Sequence, residues 1–574
     1  MDFDAILEKL GDFGRYQKWL YSLICISSAF VGLFAVISAI LLGTPEHRCK
    51  IPGYDNDTYH IQNDDHLTLI NKFIPPSSDE TYLYDQCHLF VYNVTSVTFD
   101  NSSHPINATK IQCTEWVYSD DVFKETFTSK HNLVCDDSNK PPLSKSLFFV
   151  GILIGAFTFG NLSDGIGRKK TFYIGVILML ASTLALAFSP NYIAFAIFMT
   201  AIGATTQGVF LVGFVIGMEL VGPTKRTFAG IVSEYFFALG LIILSGIAYL
   251  IRHWKYIEIA CAAPFSIILT YWWLLPESPR WLITKHRYEE AKVVLQKVAK
   301  VNKVVLNDNL LQVSDKETDD GKQNDGRVWQ LFTSRVLCLR TLVIFVNWCM
   351  VTMAYYGLSL NSGNLGGNYF LNFFLSGLVE FPAYTLVMLL VDRVGRKWLH
   401  CISMIMGGLF CLSTIFPILY LDKKYQPLTT TLAMLGKLGA AAAFAIIYMY
   451  SAELFPTVVR NAGMGASSCV ARLGAIAAPF IADSGDKIGG KMGKAFPLVV
   501  FGVATIVAGV LALHLPETLN QDLPETLEDG ILFGTSAYKS KKKDETTLAT
   551  INTAYVHDDE NVTSNADGDM VSKL

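Results

Sequence analysis

GNLSDGIGRKK, residues 160–170, follows one long apolar block, and VDRVGRK, residues 391–397, follows another. Both contain D-x-x-G-R-K. Two more landmarks recur in the same order: Glu219 stands seven residues before Arg226, as Glu453 stands seven before Arg460, and PESPRWL (276–282) is echoed by PET (516–518). The copies lie 228, 234 and 240 residues apart. Three unlike motifs repeating in one order at nearly one spacing show that the chain is written twice.

The repeats sit in a strongly apolar chain. Of 574 residues, 51% are hydrophobic and only 17% charged, a balance rare in soluble domains. A helix needs about 20 mostly apolar residues to cross a bilayer core. Twelve blocks of that kind occur, beginning with WLYSLICISSAFVGLFAVISAILLG (19–43). The first eighteen residues are mixed and charged, so that block reads as a retained helix and not a cleaved leader. The expected fold is an all-α membrane protein of twelve transmembrane helices in two six-helix halves.

Alternating spans bring GRKK (167–170), TKR (224–226), the 276–336 segment and DRVGRK (392–397) to one side. An excess of Lys and Arg marks that side as cytoplasmic. The expected order is a cytoplasmic N-terminus (1–18), the first span (19–42), an extracellular loop (43–141), helices two to six (142–275), a cytoplasmic linker (276–336), the second half (337–516) and a cytoplasmic tail (517–574). The large loop holds Cys49, Cys87, Cys113 and Cys135, an even number that predicts two disulfides of undetermined pairing. It also holds glycosylation sequons at Asn56, Asn93, Asn101 and Asn107.

The duplicated charges read as cytoplasmic gates: Asp164 with Arg168, Asp392 with Arg396, Glu219 with Arg226, Glu453 with Arg460, and Glu277 and Arg280 of PESPRWL. Exposed ion pairs are worth about 0–1 kcal/mol, a strength suited to contacts that break and reform, and paired repeats that rock against each other are a transporter device.

Inside the apolar blocks stand four charges that must face the bundle interior: Glu234 (IVSEYFFALG), Glu380 (GLVEFPAY), Lys437 (MLGKLGAAAAF) and Arg472 (SSCVARLGAIAAPF). Glu380 and Lys437 read either as a buried brace or as ligand contacts. Arg472, among Gly474 and alanines 471, 475, 477 and 478, has a thin helix wall that a ligand could approach. Its guanidinium suits bidentate binding of a carboxylate; the competing reading pairs it with Glu234.

These motifs, together with TPEHRC, YYGLSLNSGNLGGNYFLNFFLSGLVEFPAY and SAELFPTVVRNAGMG, resemble the organic cation, carnitine and organic anion transporter family of the major facilitator superfamily, over nearly the whole chain. YGLSLNSGNLGGN, AELFPTVVRN and ARLGAIAAPF look most like its carnitine and zwitterion branch. The chain departs from the family in having four loop cysteines where six are typical, and Gly165 where a basic residue is usual. The resemblance implies alternating access to a central site, with Trp348 and Tyr355 lining it and Phe210, Phe214 and Phe237 extending an aromatic box for an ammonium group. It also implies that Gln207 replaces a lysine of the cation members, that Glu234 replaces a glutamine, and that Arg472 replaces an aspartate.

The expected activity is transport of small organic cations or carnitine- and betaine-like zwitterions across the plasma membrane. The alternatives are an organic anion transporter and, in another class, a non-transporting solute receptor. No enzyme motif, cofactor, metal site or nucleic-acid partner is expected. The spacing defines no cation site, so neither sodium nor proton coupling follows from it. The terminal SKL matches a peroxisomal address and also suits a PDZ-type partner, while the loop favours the secretory route.

Overall fold

A carboxylate at the end of each half builds the turn that the repeated motif announced. In the computed structural model, which describes residues 3–77, 83–91, 109–304 and 327–541, Gly167 and Gly395 have φ of +105° and +98°. A β-carbon at either would also strike a glutamate, Glu277 or Glu517. Glu277 Oε1 accepts the Arg168 and Lys169 amides at 2.8 and 3.0 Å, and Glu517 Oε1 accepts the Arg396 amide at 3.0 Å. Each carboxylate thus satisfies unpaired N–H groups and the positive pole of the helix that follows.

Twelve helices are long and apolar enough to span a membrane: α1 (Arg15–Leu41), α2 (Cys135–Ile166), α3 (Arg168–Ala187), α4 (Tyr192–Leu220), α5 (Phe228–Ile251), α6 (Trp254–Leu274), α7 (Arg335–Leu365), α8 (Tyr369–Val394), α9 (Arg396–Tyr420), α10 (Gln426–Leu454), α11 (Thr457–Ala482) and α12 (Gly490–Ala512). The halves repeat their packing. α1 lies on α5 as α7 lies on α11, α3 on α4 as α9 on α10, and α3 on α6 as α9 on α12. Two equivalent contacts join the halves, α2 with α11 and α5 with α8. α8 is interrupted at Val379, three residues before Pro382, which offers no N–H to the Leu378 carbonyl.

The basic face carries both D-x-x-G-R-K turns. Arg168 contacts Asp164 at 2.9 Å and Glu219 at 3.3 Å; Arg396 contacts Asp392 at 3.0 Å and Glu453 at 3.2 Å. The expected Glu453–Arg460 partnership is replaced, because Arg396 takes Glu453 while Arg460 turns to the Phe455 carbonyl and the Thr457 hydroxyl. Arg280 is exposed and joins no cluster among the described residues, and Glu277 is turned onto the α3 amides. The linker contributes a helix, Tyr288–Asn302, whose Asn302 ties to Leu10, Tyr16 and Gln17.

The opposite face carries the large loop. It is not wholly irregular: β1 (His47–Cys49) pairs antiparallel with β4 (Trp116–Tyr118), and β2 (His88–Val91) with β3 (Thr109–Gln112). The disulfides are Cys49–Cys113 and Cys87–Cys135. Asn56 is exposed; Asn93, Asn101, Asn107 and the SKL terminus lie outside the described residues. Beneath Asn56, Arg48 grips Asp57 with two nitrogens at 2.6 and 3.1 Å, and His66 adds a contact at 2.9 Å. Burial alone would raise the Asp57 carboxyl, but Arg48, the Ile51 amide and His66 outweigh it and hold the group below the ordinary carboxylate range.

Arg48→Met leaves that enclosed carboxylate without its cation and should destabilise the loop by about 3–5 kcal/mol, read as a lowered unfolding midpoint. The Asp57 contribution is complete above the unfolded aspartate value of about 3.9 and is lost as pH falls through the lower native value. Amide protection factors across residues 47–57 should therefore stay high at neutral pH and fall only in acid; low protection already at neutral pH would contradict the bridge.

Candidate functional site

The break in α8 places Glu380 at the start of its second segment, in the middle of the C-terminal half. There its carboxylate meets Lys437 of α10 at 3.0 Å and accepts the Tyr355 and Tyr384 hydroxyls at 3.0 and 3.1 Å. Lys437 also donates to Ser376 and lies 5.7 Å from the Tyr355 ring. Both charged side chains are enclosed. Glu380 and Lys437 thus form an ion pair in this state, and their charges offset each other inside one half. Breaking such a pair by removing one partner costs about 3–5 kcal/mol.

Tyr355 is 2% exposed, stacked on Phe444 at 4.9 Å, with its hydroxyl spent on Glu380. Trp348 is 1% exposed and donates to Ser451 at 2.8 Å. The expected aromatic pair is therefore buried, with both polar tips bound internally. Phe237 is buried edge-on to Phe210 at 6.1 Å; Phe210 and Phe214 are half-buried. Gln207 is buried on α4.

Tyr448 is the aromatic that stays open. It lies edge-on to Trp348 at 4.4 Å and to Phe444 at 5.7 Å, yet presents 40% of its surface. Glu234 of α5 and Arg472 of α11 both lie near enough to Tyr448 and Tyr356 to act on them electrostatically. Glu234 and Arg472 are each half-buried, and the Arg472 Nε has no hydrogen-bond partner. One carboxylate from the N-terminal half and one guanidinium from the C-terminal half thus lie near the same two tyrosines. No ion pair joins them among the described residues.

The small residues beside Arg472 do other work than expected. A β-carbon on Gly474 would strike the Cys349 carbonyl of α7, and Ala471, Ala475 and Ala478 are buried. They let α11 close on α7 and turn Arg472 aside from that contact, so the thin wall faces that helix.

The loop face between the halves is shut. Lys145 of α2 meets Asp483, just past α11, at 2.7 Å, and Ser146 donates to the Ile476 carbonyl at 2.7 Å. Tyr369 donates to the Ala39 carbonyl at 3.1 Å and Ser245 to the Phe370 carbonyl at 2.8 Å. Beside the Lys145–Asp483 pair lies a crevice of about 200 Å³ lined by Asn361, Tyr369, Gly489 and Lys494 among others. Sequence reasoning missed Tyr448, Tyr356, Lys145 and Asp483. Lys145 and Asp483 lie at helix ends, where a charge carries no signal of burial, and a tyrosine inside an apolar block looks like packing.

Comparison with known proteins fits this architecture. Residues 115–529 match the family model described as sugar (and other) transporter. An organic cation transporter protein of Drosophila melanogaster is 38% identical over 93% of this chain and 95% of its own length. The human organic cation/carnitine transporter 2 is 33% identical over 92% and 93%, and a beta-alanine transporter of Drosophila melanogaster 31% identical over 92% and 89%. Among solved structures, the xylose transporter XylE from E. coli, in a partially occluded inward-open conformation, superposes with a TM-score of 0.58 over 88% of this chain and 100% of its own, at 14% identity, a likeness of fold. With a fold of two six-helix halves and relatives that align end to end, this chain belongs to the organic cation and carnitine transporter family of the major facilitator superfamily, and is a multi-pass membrane transporter.

Proposed function

We propose that this protein moves small organic cations or zwitterions, of the carnitine, betaine or amino-acid-like amine type, by alternating access. The observation that carries the reading is the charge balance at the centre. Glu380 and Lys437 offset each other at 3.0 Å, which leaves Glu234 and Arg472, one on each half, near the same two tyrosines, Tyr356 and Tyr448. An ammonium group is attracted to a carboxylate and to aromatic faces, and a carboxylate to a guanidinium fork. A solute carrying both groups satisfies both halves at once. The neutralisation of Lys437 also weakens the organic-anion alternative, because among the described residues it leaves Arg472 as the cationic group at the centre.

In this reading the basic face is cytoplasmic, the protein resides in the plasma membrane, and the glycosylated loop is outside. The Arg168 and Arg396 clusters hold the cytoplasmic ends of each half, while the Lys145–Asp483 pair closes the outer ends across the halves. The relatives named for organic cations, carnitine and beta-alanine support the substrate class.

Uptake of labelled carnitine and of tetraethylammonium by cells expressing the chain, with and without external sodium, tests the reading. Carnitine should enter well and tetraethylammonium poorly. Arg472→Asp should lower carnitine uptake about tenfold or more, the loss of a charge-assisted contact, and raise the share of tetraethylammonium. Unchanged selectivity in a surface-expressed variant would remove Arg472 from the site.

Charge reversal tests the outer closure. Lys145→Asp and Asp483→Lys should each depress uptake, and the double exchange should recover it, with a coupling of about 0.5–3 kcal/mol for directly touching groups. Losses that simply add would separate the two residues.

A further inference from the structure

α6 carries a carboxyl group that this reading does not use. Glu258, in WKYIEIACAAPF, is fully buried at 0% exposure, and neither of its oxygens has a hydrogen-bond partner. It makes no ion pair among the described residues. Its helix packs on α1, α3 and α5. Along α1 the ionisable side chains stop at Cys25 and resume at Glu46; on α3 they end at Tyr173; α5 contributes Glu234, Tyr235 and Tyr249; α6 itself adds Lys255, Tyr256 and the buried Cys261. None of these is hydrogen-bonded to Glu258.

One turn above, Trp254 plugs the way to the loop face. It donates to Glu125 at 2.9 Å and packs against Phe127 at 5.3 Å, with Lys130 5.5 Å from its ring and His253 3.6 Å from Glu125. His131 packs on Phe127 from the other side, at 4.3 Å. Glu258 is therefore sealed in the same state in which the loop face between the halves is shut.

A charge held in the membrane without a partner is strongly disfavoured, so an acid at such a place is a functional site by default. A metal ion would not cure the isolation of Glu258. Hard cations gather about six oxygens, and among the described residues neither carboxyl oxygen has even one hydrogen-bond partner. A proton needs only the carboxylate.

We propose that Glu258 is a proton-carrying site, loaded from water on one side of the membrane and unloaded on the other, so that solute movement is coupled to proton movement. The balance is simple: a proton passes from hydronium to the carboxylate, forming an O–H bond, and later returns to water on the far side. No other bond changes. The inference rests on the transport reading but not on the identity of the solute.

The test uses the full chain in proteoliposomes. Infrared spectra should contain a protonated-carboxyl band that Glu258→Gln removes, and in the native chain that band should fade as the medium goes from mildly acid to mildly alkaline. Carnitine or tetraethylammonium flux should change about tenfold when a proton gradient is reversed, respond likewise in Glu258→Asp, and ignore the gradient in Glu258→Gln. A band that persists throughout, or gradient-driven flux retained in Glu258→Gln, overturns the proposal. Failure of both solutes to move would count against the proposed substrate class, while the band still decides whether Glu258 gains and loses a proton.

Discussion

Because Glu380 and Lys437 neutralise one another inside the C-terminal half, Glu234 and Arg472 are left among the described residues as opposite charges near the same tyrosines, and these belong to different halves. The pair depends on a local defect. Pro382 interrupts α8, Glu380 begins the next helical segment, and two tyrosine hydroxyls complete its acceptor positions beside Lys437. Tyr355 then lies flat against Phe444, Phe444 backs Tyr448, and Tyr448 leans on Trp348. A single buried ion pair thus sets the rigid aromatic wall against which Arg472 stands. Buried pairs are weak evidence for stability as such; here the consequence is geometric.

The same device recurs at the basic face, where Glu277 and Glu517 cap α3 and α9 across turns that only glycine fits well. These turns were legible because a positive-φ glycine, an acid and two bases within six residues leave a pattern in any sequence, and the pattern occurs twice. The partners were less legible. Arg168 and Arg396 each lie within reach of two acids, one on their own turn and one at the end of a neighbouring span, and only packing assigns Glu453 to Arg396 and not to Arg460.

The centre divides along similar lines. Charged residues in apolar blocks announce themselves, so Glu234, Glu380, Lys437 and Arg472 were all visible. Which of them pair, and which stay open, depends on helix rotation, and periodicity alone does not give that. Trp348 and Tyr355 do share a helix, but their polar ends turn inward. The alanines around Arg472 serve close helix packing, the ordinary use of small residues in membranes. Glu258 escaped notice because it stands three residues from Lys255 near a helix start, where a charge reads as interfacial.

The placement of charges also bears on how two halves could rock without stalling. Contacts within a half, such as Glu380 with Lys437 or Arg396 with Glu453, need not change when the halves move as bodies. Contacts between halves must change, and among the described residues they include the ion pair of Lys145 with Asp483 and hydrogen bonds such as Tyr369 to Ala39 and Tyr235 to Thr385. A zwitterion between Glu234 and Arg472 would add a further bridge of the same kind, one that is present only when solute is bound. Its contribution would favour the closed arrangement around the centre without favouring either outlet, because it touches both halves alike. A ligand shifts an equilibrium only by its differential affinity for the two states. The direction of net movement must then come from concentration or from a coupled ion, and a buried acid whose charge depends on which face it last met is a means of supplying it.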